Sequence, residues 1–179
     1  MNQIDVSHAL LKDAQELGHE ARAGRNDHAV LKLWLRMLAC TTQIEAEIRK
    51  RLREQFAMSL ARFDYLAQLY RHPDGLKMRA LSRYLMVTGG NVTGLTDELE
   101  REGLVQRADS PEDRRTFIVS LTAKGRSSFE VMAKAHESWL LELFDGIDAK
   151  SVQRMFADLG ELRVHLVNHN NASTSKEKT

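Results

Sequence analysis

The chain has 179 residues, of which 42% are hydrophobic and two are prolines, and its formal net charge at pH 7 is +1. This length and apolar content suffice for one compact, mostly helical domain or a small two-lobed protein. The near-neutral charge predicts no particular partner, so a nucleic-acid binder of this composition must concentrate its basic residues locally. A single cysteine excludes an intramolecular disulfide and disfavours a thiolate metal site.

The start of the chain, Met1–Asp5, lacks the basic residues and apolar core of a signal peptide. No apolar run approaches the roughly 20 residues that a membrane-spanning helix needs. We therefore expect a cytoplasmic protein without membrane contact.

Helical periodicity predicts the first elements. Residues 1–25 predict at most a short amphipathic helix, whereas residues 27–54, which contain neither Gly nor Pro, predict a long one. A second helix is predicted over 59–71, before Pro73 and Gly75 interrupt the pattern.

A short helix, a turn, another helix and a β-hairpin are predicted next. The helices cover 77–86 and 90–102, and Gly103 is expected to end the second one in a left-handed cap. Apolar and β-branched residues predict strands over 104–107 and 116–121, joined by a polar turn. This order is that of a winged helix-turn-helix.

The last part of the chain predicts two helices and a tail. The helices cover 122–144 and 149–167, and the polar residues 168–179 are expected to be disordered. The predicted fold class is therefore mainly α with a small β-hairpin, in which an α/β lobe adjoins a helical region.

The second helix of the pair suits close entry into a DNA major groove. The first half of its outer face is small and lacks acidic side chains, and amides at a helix N-terminus favour phosphate. Thr88 is placed to cap this helix, and Ser82 is small where the two helices approach. Two packed helices of an ordinary helical domain are the alternative. The residues expected to face the groove are Gly90, Asn91, Thr93 and Gly94, of which Asn91 and Thr93 can hydrogen-bond bases or phosphates.

The hairpin carries arginines among acidic residues. Arg107, Arg114 and Arg115 are expected to contact DNA, since an arginine at a hairpin tip can enter a minor groove. Asp113 is expected to brace an arginine by a charge-assisted hydrogen bond. A solvated charged turn is the alternative.

Three strings resemble the MarR family of multiple antibiotic resistance regulators. They are Asn91–Val105 (Asn-Val-Thr-Gly-Leu-Thr-Asp-Glu-Leu-Glu-Arg-Glu-Gly-Leu-Val), Asp113–Arg115 (Asp-Arg-Arg) and Val119–Gly125 (Val-Ser-Leu-Thr-Ala-Lys-Gly). The resemblance covers roughly residues 28–165. It implies a homodimer in which each winged lobe binds half of a pseudo-palindromic operator in double-stranded DNA. The implied organisation is N-terminal dimerisation helices at 1–54, the winged helix-turn-helix lobe at 55–121, C-terminal dimerisation helices at 122–168 and a disordered tail at 169–179.

Four further strings resemble the branch of the family that regulates aromatic-acid catabolism. They are Leu33–Arg36, Ile44–Ile48, Arg62–Ala67 and His136–Trp139. Members of that branch respond to phenolic acids such as hydroxycinnamates or to their coenzyme A thioesters. The resemblance therefore implies a repressor that an aromatic acid or aryl-coenzyme A releases from its operator.

The resemblance implies that the helix predicted over 59–71 forms one wall of the ligand site, because the family binds small molecules between its dimerisation helices and its winged lobe. Arg62, Tyr65 and Leu69 share a stripe in which an arginine lies beside aromatic and aliphatic groups, which suits an aryl carboxylate. The alternative is that Arg62 pairs with Asp64, Glu54 or a neighbouring helix. Further candidate ligand contacts are His28, Trp34 and Arg36.

Other side chains favour structural roles. We expect His136 and Trp139 to pack at the dimer seam, and Cys40 to be a small buried residue rather than an oxidation sensor. The sequence contains no metal-ligand spacing, nucleophile elbow or phosphate loop, so we expect no enzyme, catalytic residue, metal or cofactor. Two alternatives stay open: a redox- or other small-molecule-responsive regulator of the same fold, and a scaffold that uses the winged lobe for protein contacts.

Overall fold

A computed structural model describes residues 28–85, 89–109 and 116–176, together with His19. The short helix expected within residues 1–25 lies outside the described residues, His19 apart. Among the described helices, none is both long and apolar enough to cross a bilayer.

The chain divides into two compact units, Met1–Trp139 and Leu140–Thr179. The described part is mostly helical with one small sheet. In chain order the elements are α1 (Ala29–Phe56), α2 (Leu60–Arg71), β1 (Leu76–Lys77), α3 (Met78–Leu85), α4 (Gly89–Arg101), β2 (Val105–Asp109), β3 (Phe117–Leu121), α5 (Ala123–Leu143) and α6 (Ala149–Lys176).

The end of α4 follows the predicted glycine cap. Gly103 has a φ of 70°. Its N–H donates to the Glu100 carbonyl at 2.9 Å, and the Leu104 N–H donates to the Leu99 carbonyl at 2.9 Å. These two bonds satisfy carbonyls that the helix itself leaves without a partner. The predicted left-handed cap is thus confirmed, and it turns the chain from α4 into β2.

The sheet has three antiparallel strands in the order β1-β3-β2. The predicted hairpin is present, and Arg107 of β2 pairs with Val119 of β3. Strand β1 was not predicted, because two residues are too short to show alternation. Gly75 precedes β1 at a φ of 84°, and a Cβ there would lie 2.7 Å from the Val119 carbonyl oxygen. Only glycine lets the chain pass this close to β3.

The core of the first unit joins α1, α2 and the winged lobe to α5. Trp139 is buried against Phe56 of α1, with ring centroids 6.1 Å apart, and His136 packs on Phe63 of α2 at 5.0 Å. Burial lowers the pKa of His136. The expectation that His136 and Trp139 pack at a dimer seam is therefore wrong, because this face of α5 lies against helices of its own chain. Fully buried core residues include Leu52, Tyr65, Leu66, Leu69, Leu81, Val92, Leu99 and Val119.

The second unit is dominated by α6, which runs to Lys176 instead of ending near Val167. Residues 168–176, assigned to a disordered tail, are helical because no Gly or Pro interrupts them and each further residue adds one backbone hydrogen bond. Phe156 is 82% exposed. Other exposed apolar residues of this helix are Val152, Met155, Leu159, Val164, Leu166 and Val167.

The start of α5 is joined to the start of β2. The Thr122 hydroxyl accepts a hydrogen bond from the Gly125 N–H at 2.9 Å and donates to the Gly103 carbonyl at 2.7 Å. The Thr122 N–H donates to the Leu104 carbonyl at 3.1 Å. A Cβ on Gly125 would lie 1.8 Å from that same oxygen. We call Gly103, Leu104, Thr122 and Gly125 the α4–α5 junction.

Replacing Gly125 tests this junction. Gly125→Ala should lower the free energy of unfolding by at least about 2 kcal/mol, because an overpacked interior must shift backbone atoms. The measurement is urea unfolding followed by circular dichroism. The matched control is Gly94→Ala, another helical glycine, whose Cβ would meet nothing within 4 Å. It should raise stability by roughly 0.5–1 kcal/mol. Equal effects of the two substitutions would contradict the close approach.

Candidate nucleic-acid interface

A buried polar contact holds α4 against α2 and α3. The Tyr65 hydroxyl and the Thr96 hydroxyl lie 2.6 Å apart, and Thr96 also donates to the Val92 carbonyl at 2.6 Å. The Met78 sulfur of α3 lies 3.6 Å from the same Thr96 oxygen. Burial raises the pKa of Tyr65, so its phenol stays protonated at neutral pH. Because a buried hydroxyl without a partner is costly, this contact favours one orientation of α4.

The sequence analysis missed Thr96. Thr96 lies one turn after Val92 on the inward side of α4, which also carries Leu99, and all three side chains are buried. Because threonine is polar, the burial of this side chain was not expected from its residue type. The signal that could have found it is this spacing, together with a tyrosine on the preceding helix.

The outer face of α4 matches the expected groove-facing surface. Asn91 and Thr93 are exposed. Cβ atoms on Gly90 and Gly94 would meet nothing within 4 Å. Ser82 of α3 is half-buried. The predicted cap Thr88 lies outside the described residues. The first six residues of α4 therefore present backbone and small side chains with no charged group.

Arg107 is held by carboxylates instead of facing outward. Its guanidinium forms salt bridges with Asp97 and Glu100 of α4, and its side chain is 22% exposed. Although partial burial opposes the charge, these two carboxylates hold the pKa of Arg107 above its ordinary value. Both neighbouring carboxylates take up donors of Arg107 in this arrangement, and its contact with DNA stays a prediction. We call this contact the Arg107 brace.

The remaining wing residues lie at the tip of the hairpin. Asp113, Arg114 and Arg115 are outside the described residues, so their expected roles stay predictions. The strands that lead to the tip are described up to Asp109 and from Thr116. The Arg107 brace connects the first of these strands to α4.

The predicted ligand stripe of α2 faces the protein interior. Tyr65 and Leu69 are fully buried. Arg62 pairs with Glu102 just after α4, and its Nε is buried without a hydrogen-bond partner among the described residues. Arg62 therefore forms an ion pair with the region of a neighbouring helix, which was the alternative to a ligand contact.

The other ligand candidates lie at the start of α1. His28, Trp34 and Arg36 are exposed, and Trp34 exposes 55% of its surface. At 1.5 Å per residue, Trp34 lies about 28 Å along α1 from Arg53, which precedes α2. A single small molecule therefore cannot contact both ends of this helix within one protomer.

A cleft of about 400 Å³ lies between α1 and the winged lobe. Arg49 of α1 is paired there with Glu45 at 2.6 Å. Arg53 has no salt-bridge partner among the described residues. The cleft reaches Leu95 on the inner side of α4, so an occupant would contact the helix that is expected to enter DNA. The lining residues are Glu45, Arg49, Arg53, Ser59, Leu60, Ala61, Asp64, Leu85 and Leu95.

Cys40 is exposed on α1. The expectation of a buried filler is therefore wrong, because this position lies on the outer side of α1, away from its buried residues Leu35 and Ile48.

Comparison with known proteins identifies the fold family. The sequence model of the MarR family matches residues 58–116. A MarR family transcriptional regulator from Silicibacter pomeroyi has a similar crystal structure, with a TM-score of 0.68 and 30% sequence identity over 80% of this chain and 99% of that one. The chain belongs to the MarR family. The winged helix-turn-helix fold predicted from the sequence is confirmed.

Two transcription regulators are more similar in sequence over shorter segments of the chain. The HTH-type transcriptional regulator PapX of Escherichia coli is 39% identical over 67 residues, which are 37% of this chain and 41% of PapX. The transcriptional activatory protein BadR of Rhodopseudomonas palustris is 41% identical over 61 residues, which are 34% of this chain and 35% of BadR. The matched segments span less than half of each relative.

The Arg107 brace of this MarR-family chain can be measured by a double-mutant cycle. Arg107→Ala and Asp97→Ala should show a coupling energy of about 1 kcal/mol, since the guanidinium is mostly buried but both carboxylates are half-exposed. The matched control is the exposed pair Arg49–Glu45 on α1, for which about 0.3–0.5 kcal/mol is expected. Coupling no stronger at Arg107 than at Arg49 would reduce the brace to a surface ion pair.

Proposed function

We propose that this chain is a homodimeric transcription regulator that binds double-stranded DNA and represses genes of aromatic-compound catabolism. An aromatic acid or its coenzyme A thioester would release it from a pseudo-palindromic operator. The observation that carries DNA binding is the first half of α4. Its small, uncharged residues stand outward, and the rest of the helix is anchored by Tyr65 and Thr96.

Groove entry follows from the shape and dipole of α4. Gly90 and Gly94 let the helix approach base edges closely, and Asn91 and Thr93 offer hydrogen-bonding groups. The positive end of the helix dipole favours nearby phosphate. Arg114 and Arg115 would reach the adjacent minor groove, with Asp113 bracing one of them.

Exposed apolar surface supports the homodimer. Val30, Leu33 and Trp34 at the start of α1 are all more than half exposed, and α6 exposes the row that includes Phe156. Exposed apolar surface of this extent marks a contact with another protein. A second copy with twofold symmetry would cover both regions and present two winged lobes. Half-sites would then lie about one helical turn apart on the duplex.

The cleft beside Arg53 is the better candidate for the aromatic ligand. Its volume of about 400 Å³ suits a small molecule. Arg53 would pair with a carboxylate, and Leu85 and Leu95 would contact an aryl ring. The ligand would favour a position of α4 that fits the operator poorly. It shifts the equilibrium only by the difference between its affinities for the two states.

Two observations favour variants of this function. The match to BadR, which is named as a transcriptional activatory protein, supports a regulator that activates transcription instead of repressing it. The exposure of Cys40 supports a redox-responsive regulator of the same fold. A peroxide-induced change in DNA affinity that Cys40→Ser abolishes would favour the redox variant.

DNA binding is tested by placing a negative charge on the outer face of α4. A duplex selected by the wild-type chain from a random pool provides the probe, and fluorescence anisotropy measures its affinity. Gly94→Glu should weaken binding at least about 100-fold, because a carboxylate would be forced toward phosphates and bases. The melting temperature should change little, since space around Gly94 is open. Ser127→Glu, at an exposed position of α5, is the charge-matched control and should bind normally. Unchanged binding by Gly94→Glu would exclude this face.

Ligand binding is tested by a thermal-shift screen with aromatic acids and their coenzyme A thioesters, because a bound ligand raises the melting temperature. For any compound that does so, Arg53→Gln should reduce the shift by more than half and leave DNA affinity intact. Arg62→Gln is the comparison, since the sequence analysis assigned the carboxylate contact to Arg62. If only Arg62→Gln loses the shift in melting temperature, the ligand binds at α2 instead of beside Arg53. Shifts retained in both variants would exclude both positions.

A further inference from the structure

The helix of the winged lobe that is expected to enter DNA has no net positive charge. α4 carries three acidic residues and one arginine, which gives it a net charge of −2. The acidic residues lie in its second half, where Arg107 pairs with two of them. Since most nucleic-acid affinity comes from neutralising phosphates, the cations must lie elsewhere on the lobe.

The neighbouring helix α3 has the opposite charge. It carries two arginines and no acidic residue, for a net charge of +2. Arg79 and Arg83 are both exposed, and neither has a salt-bridge partner in the part of the chain that the structure describes. Their charges are therefore available to an external anion.

The two arginines share one face of α3. They are one helical turn apart, so their side chains are neighbours. Leu81 between them is fully buried. At 3.6 residues per turn, each arginine lies about 160° around the helix from Leu81, on the side away from the core. Met78 of the same helix contacts Thr96 of α4, which links the orientation of α3 to that of α4.

We propose that Arg79 and Arg83 form a phosphate-binding pair that grips the DNA backbone beside the groove that α4 enters. This inference rests on the proposed DNA-binding function and adds the residues that supply its electrostatic part. In a helix-turn-helix, the first helix crosses the backbone while the second lies in the major groove. Two guanidiniums one turn apart suit phosphate oxygens, which accept their paired N–H donors. Such contacts position the protein and carry no sequence information.

The experiment measures the salt dependence of binding. The probes are a fluorescein-labelled random-sequence duplex of about 30 base pairs and the duplex selected by the wild-type chain. Affinity is measured by anisotropy between about 50 and 200 mM KCl, a range over which phosphate contacts change affinity strongly. The variants are Arg79→Gln, Arg83→Gln and the double variant. Lys134→Gln, which removes one exposed charge from α5, is the control.

Each arginine should remove about 0.9 from the slope of log affinity against log salt for every protomer that contacts the duplex. The double variant should therefore lose about 1.8 per protomer, and Lys134→Gln should lose much less. The ratio of affinities for the selected and random duplexes should stay within about twofold, because phosphate contacts weaken both alike. Melting temperatures should remain near the wild-type value, since both side chains are exposed.

Three results would overturn the inference. An unchanged slope in the double variant, with normal wild-type binding, would show that α3 does not contact phosphates. An equal loss in Lys134→Gln would show that only the net charge matters. A collapse of the affinity ratio would make the arginines base-reading residues. Failure of the wild-type chain to bind either duplex would instead reject the proposed function itself, and with it this inference.

Discussion

The α4–α5 junction is the constraint on which the rest of the winged lobe depends. The Leu104 carbonyl receives the Thr122 N–H and lies against Gly125, where no side chain could fit. One peptide unit therefore fixes where α4 ends, where the hairpin begins and where α5 starts. Because the Tyr65–Thr96 contact holds the middle of α4, the helix is positioned at two points. The small residues Gly90, Asn91, Thr93 and Gly94 of its first half stay exposed.

These contacts divide the lobe into a rigid interior and an outward face of contrasting chemistry. Carboxylates near the end of α4 are paired with Arg62 and Arg107, whereas the arginines of α3 have no such partners among the described residues. The acidic half of α4 therefore stabilises the lobe. Under the proposed function, shape recognition would fall to the start of α4, and phosphate neutralisation to α3 and the wing. The cleft beside Arg53 lies on the inner side of the same helix. A ligand there would act on the element that presents the groove-facing residues.

Local features of this fold could be predicted from the sequence, and pairings between distant residues could not. The cap at Gly103 and the hairpin strands follow from φ preference and β-branched runs, which are encoded within a few residues. The partner of Arg62 lies 40 residues away, so its salt bridge emerges only when α2 packs against the end of α4. The same limit applies to Arg107. An arginine on a hairpin suggests a contact with DNA, but the side chains that the fold brings next to this one are carboxylates. The exposure of Cys40 and the burial of Trp139 likewise depend on which faces of α1 and α5 are covered by neighbouring elements.

The Arg107 brace also restricts how this lobe can diversify. A basic side chain at position 97 or 100 would add attraction for the duplex along the second half of α4. The same change would remove a carboxylate that holds β2, and the hairpin would lose its tether to α4. A substitution that increases DNA affinity at these positions therefore weakens the attachment of the hairpin to α4. Substitutions that raise affinity without this loss must lie where no brace residue is replaced, at the start of α4 or on α3.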